Sequence, residues 1–278
     1  MKIQQKRKLV RLVIAAFAVA VTCLLFITGC SKDKEISAES KTFVMAHGAF
    51  QGPYAWQFVK SQLEAAGQKV VIVELPGHGT DQTPPGKITI KTYRDKVVSA
   101  IAALKGQVVL VGHSLGGAVI TAVADTIPER IEKLVYIAGF VPANGQSILD
   151  LTLGDPNSQF GPALIFSADG TTASIPNDKL FPVFCQDGTD AIKQLLIVNN
   201  RPEPIAPQAN KLVLTNTAFA AVPKYYVYTT KDHAITIDLQ NKMVSAAGIK
   251  NVYSVDSGHC PFLSVPDKIT AILLQIIK

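Results

Sequence analysis

Cysteine and charge are both scarce in this chain of 278 residues, with four cysteines and charged side chains at 17% of positions. So few cysteines cannot build a disulfide framework, so the fold has to rest on an apolar core. There is no internal repeat and no low-complexity tract, which argues against a solenoid or a fibrous chain. No cluster of His, Cys and carboxylate residues has metal-ligand spacing, so no metal is expected. The formal charge of +6 invites a search for acidic partners, but it is concentrated at one end. Residues 1–29 hold five of the 27 Lys and Arg and none of the 21 Asp and Glu, leaving 22 against 21. A nearly neutral remainder offers no surface for neutralising phosphates, so nucleic acid is not an expected partner.

What that end contains is a targeting signal. Lys2, Lys6, Arg7, Lys8 and Arg11 precede an apolar run from Leu12 to Ile27 and the small residues Thr28-Gly29. A basic head, a short apolar middle and small residues read as a secretory signal over residues 1–29. The run is short of the roughly 20 apolar residues a spanning helix needs. Ile27-Thr28-Gly29-Cys30 resembles the lipobox of bacterial lipoproteins. That resemblance implies that Cys30 is lipidated, becomes the mature N-terminus, and anchors an exported protein to a membrane in the periplasm or at the cell surface. Several acyl chains, at about 0.8 kcal/mol per buried methylene, make such an anchor lasting. Ser31 to Ser40 is small and polar, so residues 30–41 form a lipidated cysteine and flexible tether. With Cys23 inside the signal and Cys30 lipidated, Cys185 and Cys260 remain, and are expected as two buried free thiols, with a disulfide as the alternative.

Residues 42–278 are enough for one domain with a full core. Apolar runs at Thr42 to Ala46, Val70 to Val73, Val108 to Val111 and Lys133 to Ala138 suit strands buried on both faces of a parallel sheet. Lys224 to Thr229 and Lys250 to Val255 extend the series. Helical patterns fall between them at Trp56 to Ala66, Ile90 to Leu104, Leu115 to Thr126, Ile235 to Ala247 and Pro266 to Ile277. The alternation predicts an α/β fold with a mostly parallel, doubly wound sheet. From about 142 to 222 the chain is proline-rich, with a helix-like stretch at Asp190 to Val198 and no clear strand. Eighty such residues are too many for a loop and predict a cap inserted over the carboxyl edge of the sheet. Phe160, Phe166, Phe181, Phe184 and Leu195 are its candidates for lining an apolar pocket.

Gly112-His113-Ser114-Leu115-Gly116 follows the third run directly. A GxSxG sequence between a buried strand and a helix forms a nucleophile elbow, which makes Ser114 the candidate nucleophile. A serine hydroxyl needs a base within hydrogen-bond reach and a group that orients the base. His259, after the last strand, is the base in the chain order Ser, acid, His. Asp232, after the strand ending at Thr229, is the preferred acid, with Asp256 and Asp238 as rivals. The Leu115 amide and an amide of the His47-Gly48-Ala49-Phe50 loop, that of Ala49, are the expected oxyanion donors. The His113 side chain is expected to point away from Ser114. Phe50, His113 and Phe140 are the candidate pocket residues next to these groups.

His47-Gly48-Ala49-Phe50-Gln51-Gly52, Trp56, Leu63-Glu64-Ala65-Ala66-Gly67, the elbow, Gly139-Phe140-Val141-Pro142, Thr230-Lys231-Asp232 and Gly258-His259 resemble the plant methylesterase and hydroxynitrile lyase branch of the α/β-hydrolases, with its bacterial esterase relatives. The resemblance covers most of the chain outside the cap. It implies an α/β-hydrolase fold, a cofactor-free enzyme, a small-molecule ester substrate, and triad positions at Ser114, Asp232 and His259. Hydroxynitrile lyases carry a lysine after the catalytic histidine and a threonine after the oxyanion-loop histidine; here those places are Cys260 and Gly48. Both departures favour a serine carboxylesterase for small apolar or aromatic esters over a lyase, with a noncatalytic binding protein as a further alternative. The intact mass of the exported protein is expected to match a chain starting at Cys30 with diacylglycerol on the thiol and an acylated amine. An unmodified Cys30, or a different first residue, would contradict the lipoprotein assignment.

Overall fold

The computed structural model describes residues 40–278. The expected signal, Cys30 and most of the expected tether lie outside the described residues. In chain order the strands are β1 (Thr42–Ala46), β2 (Lys69–Val73), β3 (Val108–His113) and β4 (Ile131–Ile137), then β5 (Ile165–Phe166), β6 (Thr172–Ser174) and β7 (Glu203–Pro204), then β8 (Lys224–Thr229) and β9 (Asn251–Val255). Six of them form one parallel sheet in the order β2-β1-β3-β4-β8-β9. All six residues of β3 are buried, as an unbroken apolar run demands when both faces of a strand are covered.

The chain leaves β1 toward β2 on one side and returns to β3 on the other, so strand order reverses between β1 and β3. Ligands bind such sheets at the carboxyl ends flanking that reversal. Ala46 of β1 lies opposite Gly112 of β3, so the loop after β1 and the turn after β3 emerge side by side. This one register brings His47 to Phe50 against Ser114.

Helices cover both faces. The helix Ile90–Ala102 starts at Thr89, whose hydroxyl accepts from the Thr92 amide while Thr92 Oγ1 accepts from the Thr89 amide. That reciprocal cap satisfies two amides left over at the helix start. The helix buries Ile90, Tyr93, Val97 and Ile101 at helical spacing. The helix Leu115–Thr126 is buried almost all round, consistent with its apolar sequence. The expected helix Trp56 to Ala66 divides into a 3-10 turn, Pro53–Trp56, and the α-helix Gln57–Ala65.

The region 142–222 differs from expectation. It contains a small antiparallel sheet, β5-β6-β7, with Ile165 opposite Ser174 and Ala173 opposite Glu203. Strands of two or three residues are too short to leave a periodic signature. Helices Ile148–Thr152, Phe160–Ala163, Asn177–Phe184, Asp190–Val198 and Ala206–Ala209 fill the rest. Cys185 and Cys260 are free and buried.

Leu110 at the centre of β3 is completely buried. Leu110→Ala is expected to cost about 2–5 kcal/mol and lower the melting temperature by roughly 5–15 °C, as read by calorimetry. A shift of under a degree would mean the sheet interior is not the core.

Candidate active site

Three non-glycine residues among those described have positive φ: Phe50, Ser114 and Ala138, each just beyond the carboxyl end of a sheet strand. Strain of this kind costs about 1–3 kcal/mol per residue and persists where the surroundings over-determine the backbone. At Ser114 (φ 53°, ψ −123°) the surroundings are close-fitting backbone. The Ser114 carbonyl accepts from the Gly117 amide at 2.9 Å and the Phe140 amide at 3.0 Å. A Cβ at Gly116 would lie 2.7 Å from the Ala46 carbonyl oxygen, and one at Gly112 would lie 2.5 Å from that of Gly116. The glycines of the pentapeptide are thus required by packing against neighbouring main chain. Behind them, Tyr136 Oη and Thr121 Oγ1 are 2.8 Å apart, and Thr121 donates to the Gly117 carbonyl.

Asp232 and His259 form the second half of the site. Both are buried, and His259 Nδ1 donates to Asp232 Oδ2 at 2.8 Å. Thr229 Oγ1 (2.8 Å) and Gln240 Nε2 (3.3 Å) donate to the same oxygen, and the Ala234 and Ile235 amides donate to Oδ1 at 2.8 Å each. Five donors hold this carboxylate, so its burial is compensated and its position fixed. With Nδ1 engaged as a donor to Asp232, Nε2 is the ring nitrogen left to act as the acceptor. Asp256 instead pairs with Lys231 at the surface, and Asp238 is exposed in the first turn of Ile237–Ala246.

Ser114, His259, Ala49, Leu115 and Phe140 border one narrow cavity, closed from the cap by Phe160, Phe184 and Gln208. Neither the Ala49 amide nor the Leu115 amide donates a hydrogen bond among the described residues. His47 explains the first. Its Nε2 accepts from the Leu75 amide, so the proton sits on Nδ1, which donates to the Gly48 carbonyl at 3.0 Å. Burial and the neighbouring His78 push its pKa down to about 3, which keeps the ring neutral. In a trans peptide the N–H opposes the C=O, so fixing the Gly48 carbonyl turns the Ala49 N–H the other way.

His113 and Phe50 do not border this cavity. His113 is fully buried, with its ring nitrogens 2.9 Å from the His259 carbonyl oxygen and 3.1 Å from Gln51 Oε1. Phe50 stands one layer out, its ring 6.0 Å from Phe160 and 6.1 Å from Phe184. Of the cap's other apolar candidates, Phe166 is 59% exposed, and Phe181 and Leu195 pack on the core.

Two polar hubs have roles that the sequence does not assign. Gln51 Oε1 accepts from the Gly48 amide while its Nε2 donates to Cys260 Sγ, tying the oxyanion loop to the histidine loop. Glu203, completely buried on β7, accepts through Oε2 from the Phe50 amide (2.7 Å) and from His78 Nε2 (2.8 Å). His78 Nδ1 faces the Pro76 carbonyl at 3.1 Å, so both ring nitrogens are placed to donate. Burial alone would lower the His78 pKa, but the charge and hydrogen bond of Glu203 raise it. The pair clasps the cap to the loop that carries the Ala49 amide.

The sequence matches the Alpha/beta hydrolase family over residues 43–272, and the chain belongs to that family. It is 28% identical to Methylesterase 7 of Arabidopsis thaliana over 259 residues, covering 85% of this chain and 96% of that protein. It is 27% identical to the Alpha-hydroxynitrile lyase of the same plant over 241 residues, covering 82% and 93%. The crystal structure of polyneuridine aldehyde esterase superposes with a TM-score of 0.76 at 23% identity, covering 86% of this chain and all of that one. The expected fold class, an α/β-hydrolase with a parallel sheet, is therefore the observed one.

A raised folded-state pKa at His78 adds stability that is complete below its ordinary value of 6.5 and lost as pH rises through the raised value. Glu203→Gln is expected to cost about 2 kcal/mol at pH 6 and to flatten the alkaline fall in melting temperature. Parallel wild-type and variant pH profiles would contradict a charged clasp.

Proposed function

We propose that the protein is a serine carboxylesterase that hydrolyses small, apolar or aromatic carboxylic esters. The observation that carries this reading is the convergence in one cavity of an elbow serine, a histidine oriented by a five-donor carboxylate, and two backbone amides without partners. Ser114 Oγ attacks the ester carbonyl as His259 Nε2 takes its proton. Asp232 stabilises the imidazolium, and the Ala49 and Leu115 amides hold the oxyanion. His259 then protonates the leaving alkoxide. Water, activated by the same ring, releases the acid and restores Ser114.

Two features favour hydrolysis over cyanohydrin cleavage. The threonine that a lyase would carry at position 48 has no room, because even a Cβ there would lie 2.8 Å from Ser114 Cβ and from His113 Nδ1. In the place of the lyase's lysine stands Cys260, completely buried, with burial and the nearby Cys185 pushing its thiol pKa well up. A neutral buried thiol is no substitute for a cation. Kinship is shared between Methylesterase 7 and the Alpha-hydroxynitrile lyase, so the choice between the two chemistries rests on positions 48 and 260. The proposal also includes export and lipid anchoring through Cys30, supported by the basic head, the apolar run and the lipobox-like Ile27 to Cys30.

Short alkyl and aryl esters are expected to be hydrolysed, with Ser114→Ala reducing kcat by about 10⁴-fold or more. Retained esterase activity in Ser114→Ala, or release of cyanide from mandelonitrile in place of ester hydrolysis, would overturn the assignment.

A further inference from the structure

The space at Ser114 is too small for an ester. The cavity there offers about 10 Å³, room for a single water. Against it lies a cavity of about 440 Å³ whose wall includes Leu149, Leu164 and Ile205, within the size range of small-molecule sites. Phe160 and Gln208 border both spaces, so these two side chains stand between the nucleophile and the larger volume. Phe160 heads a single four-residue turn, and its ring packs edge-on or tilted against Phe50 and Phe184 with ring centroids 6.0 Å apart.

Gln208 supplies the second observation. It is nine-tenths buried, and its Nε2 has no hydrogen-bond partner among the described residues. Leaving a buried donor unmade is costly, and native structures rarely do so without a function for it. At the mouth of the outer cavity, Leu149 and Phe166 are exposed at 46% and 59%. An apolar rim suits an apolar ligand.

We infer that the two cavities are halves of one substrate site divided by Phe160 and Gln208, and that the substrates are esters with a compact half at Ser114 and a bulky apolar half in the outer cavity, carrying an oxygen that accepts from Gln208. This rests on the esterase reading and adds the shape of the substrate to it. Displacement of Phe160 opens the passage, and the unmade hydrogen bond of Gln208 is completed by the ligand.

The test uses the full chain in detergent and compares kcat/KM for ethyl acetate, methyl naphthylacetate, naphthylmethyl acetate, and methoxy- and ethyl-substituted forms of the naphthyl ester. At least one bulky ester is expected to exceed ethyl acetate by about tenfold or more. Ala209→Trp and Leu149→Trp, both at solvent-exposed wall positions, are expected to reduce that advantage by about tenfold. Gln208→Leu is expected to bring the methoxy and ethyl forms to parity. Labelling of Ser114 by a compact fluorophosphonate, run on every protein, reports an intact nucleophile independently. If Ser114 is labelled and ethyl acetate is hydrolysed, but bulky esters gain no advantage or keep it in both tryptophan variants, the inference is overturned and the esterase reading stands. If the unaltered protein is neither labelled nor active on any ester, both fall together.

Discussion

A carboxylate with no access to water sets the terms for this fold's chemistry. Asp232 is buried beneath the sheet's carboxyl edge, and an ion in that position is tolerable only when its lone pairs are occupied. Here they are: two amides of the loop entering the helix Ile237–Ala246, the Thr229 hydroxyl, Gln240 and His259 all donate to it. Meeting that demand fixes the end of β8, the start of the helix and the histidine loop after β9. The histidine is oriented as a consequence of satisfying the acid.

The serine side is governed by a different constraint, close approach of main chain to main chain. Gly112, Gly116 and Gly117 each face backbone atoms at distances that exclude a side chain, and the strained Ser114 is held by two hydrogen bonds to its carbonyl. Ala46 sits opposite Gly112 across the strand reversal, so the oxyanion loop lies against the elbow. Its conformation is then pinned from three directions: His47 on the Gly48 carbonyl, Gln51 on the Gly48 amide, and Glu203 on the Phe50 amide. The last reaches down from the cap, so cap placement and oxyanion geometry are mechanically joined.

Much of this was legible in the residues. Strands β1, β3 and β4 announce themselves because parallel strands covered on both faces must be continuously apolar, and Gly-His-Ser-Leu-Gly is readable because the elbow tolerates few alternatives. Asp232 could be ranked above Asp256 and Asp238 because it follows a strand end, and only Asp232 meets His259. The cap was legible as an insertion but not in its architecture, since β5 to β7 are too short for periodicity. Gln51, Glu203 and Gln208 were illegible as functional positions for a common reason. A buried polar residue is defined by its partners, and Glu203 finds His78 at a separation of 125 residues and Phe50 at 153. His113 and Phe50 are pocket candidates in the sequence, but His113 turns away from Ser114 as expected, onto Gln51 and the His259 carbonyl, and Phe50 packs on Phe160 and Phe184 outside the narrow cavity.

The central claim is that Ser114 is acylated in turnover. Rapid quenching of a reaction with p-nitrophenyl acetate, followed by mass spectrometry of the digested protein, tests it most directly. The account predicts a burst of nitrophenol with an acetyl group on the peptide carrying Ser114. Turnover without a burst and without an adduct at Ser114, or with the adduct on another residue, would contradict it.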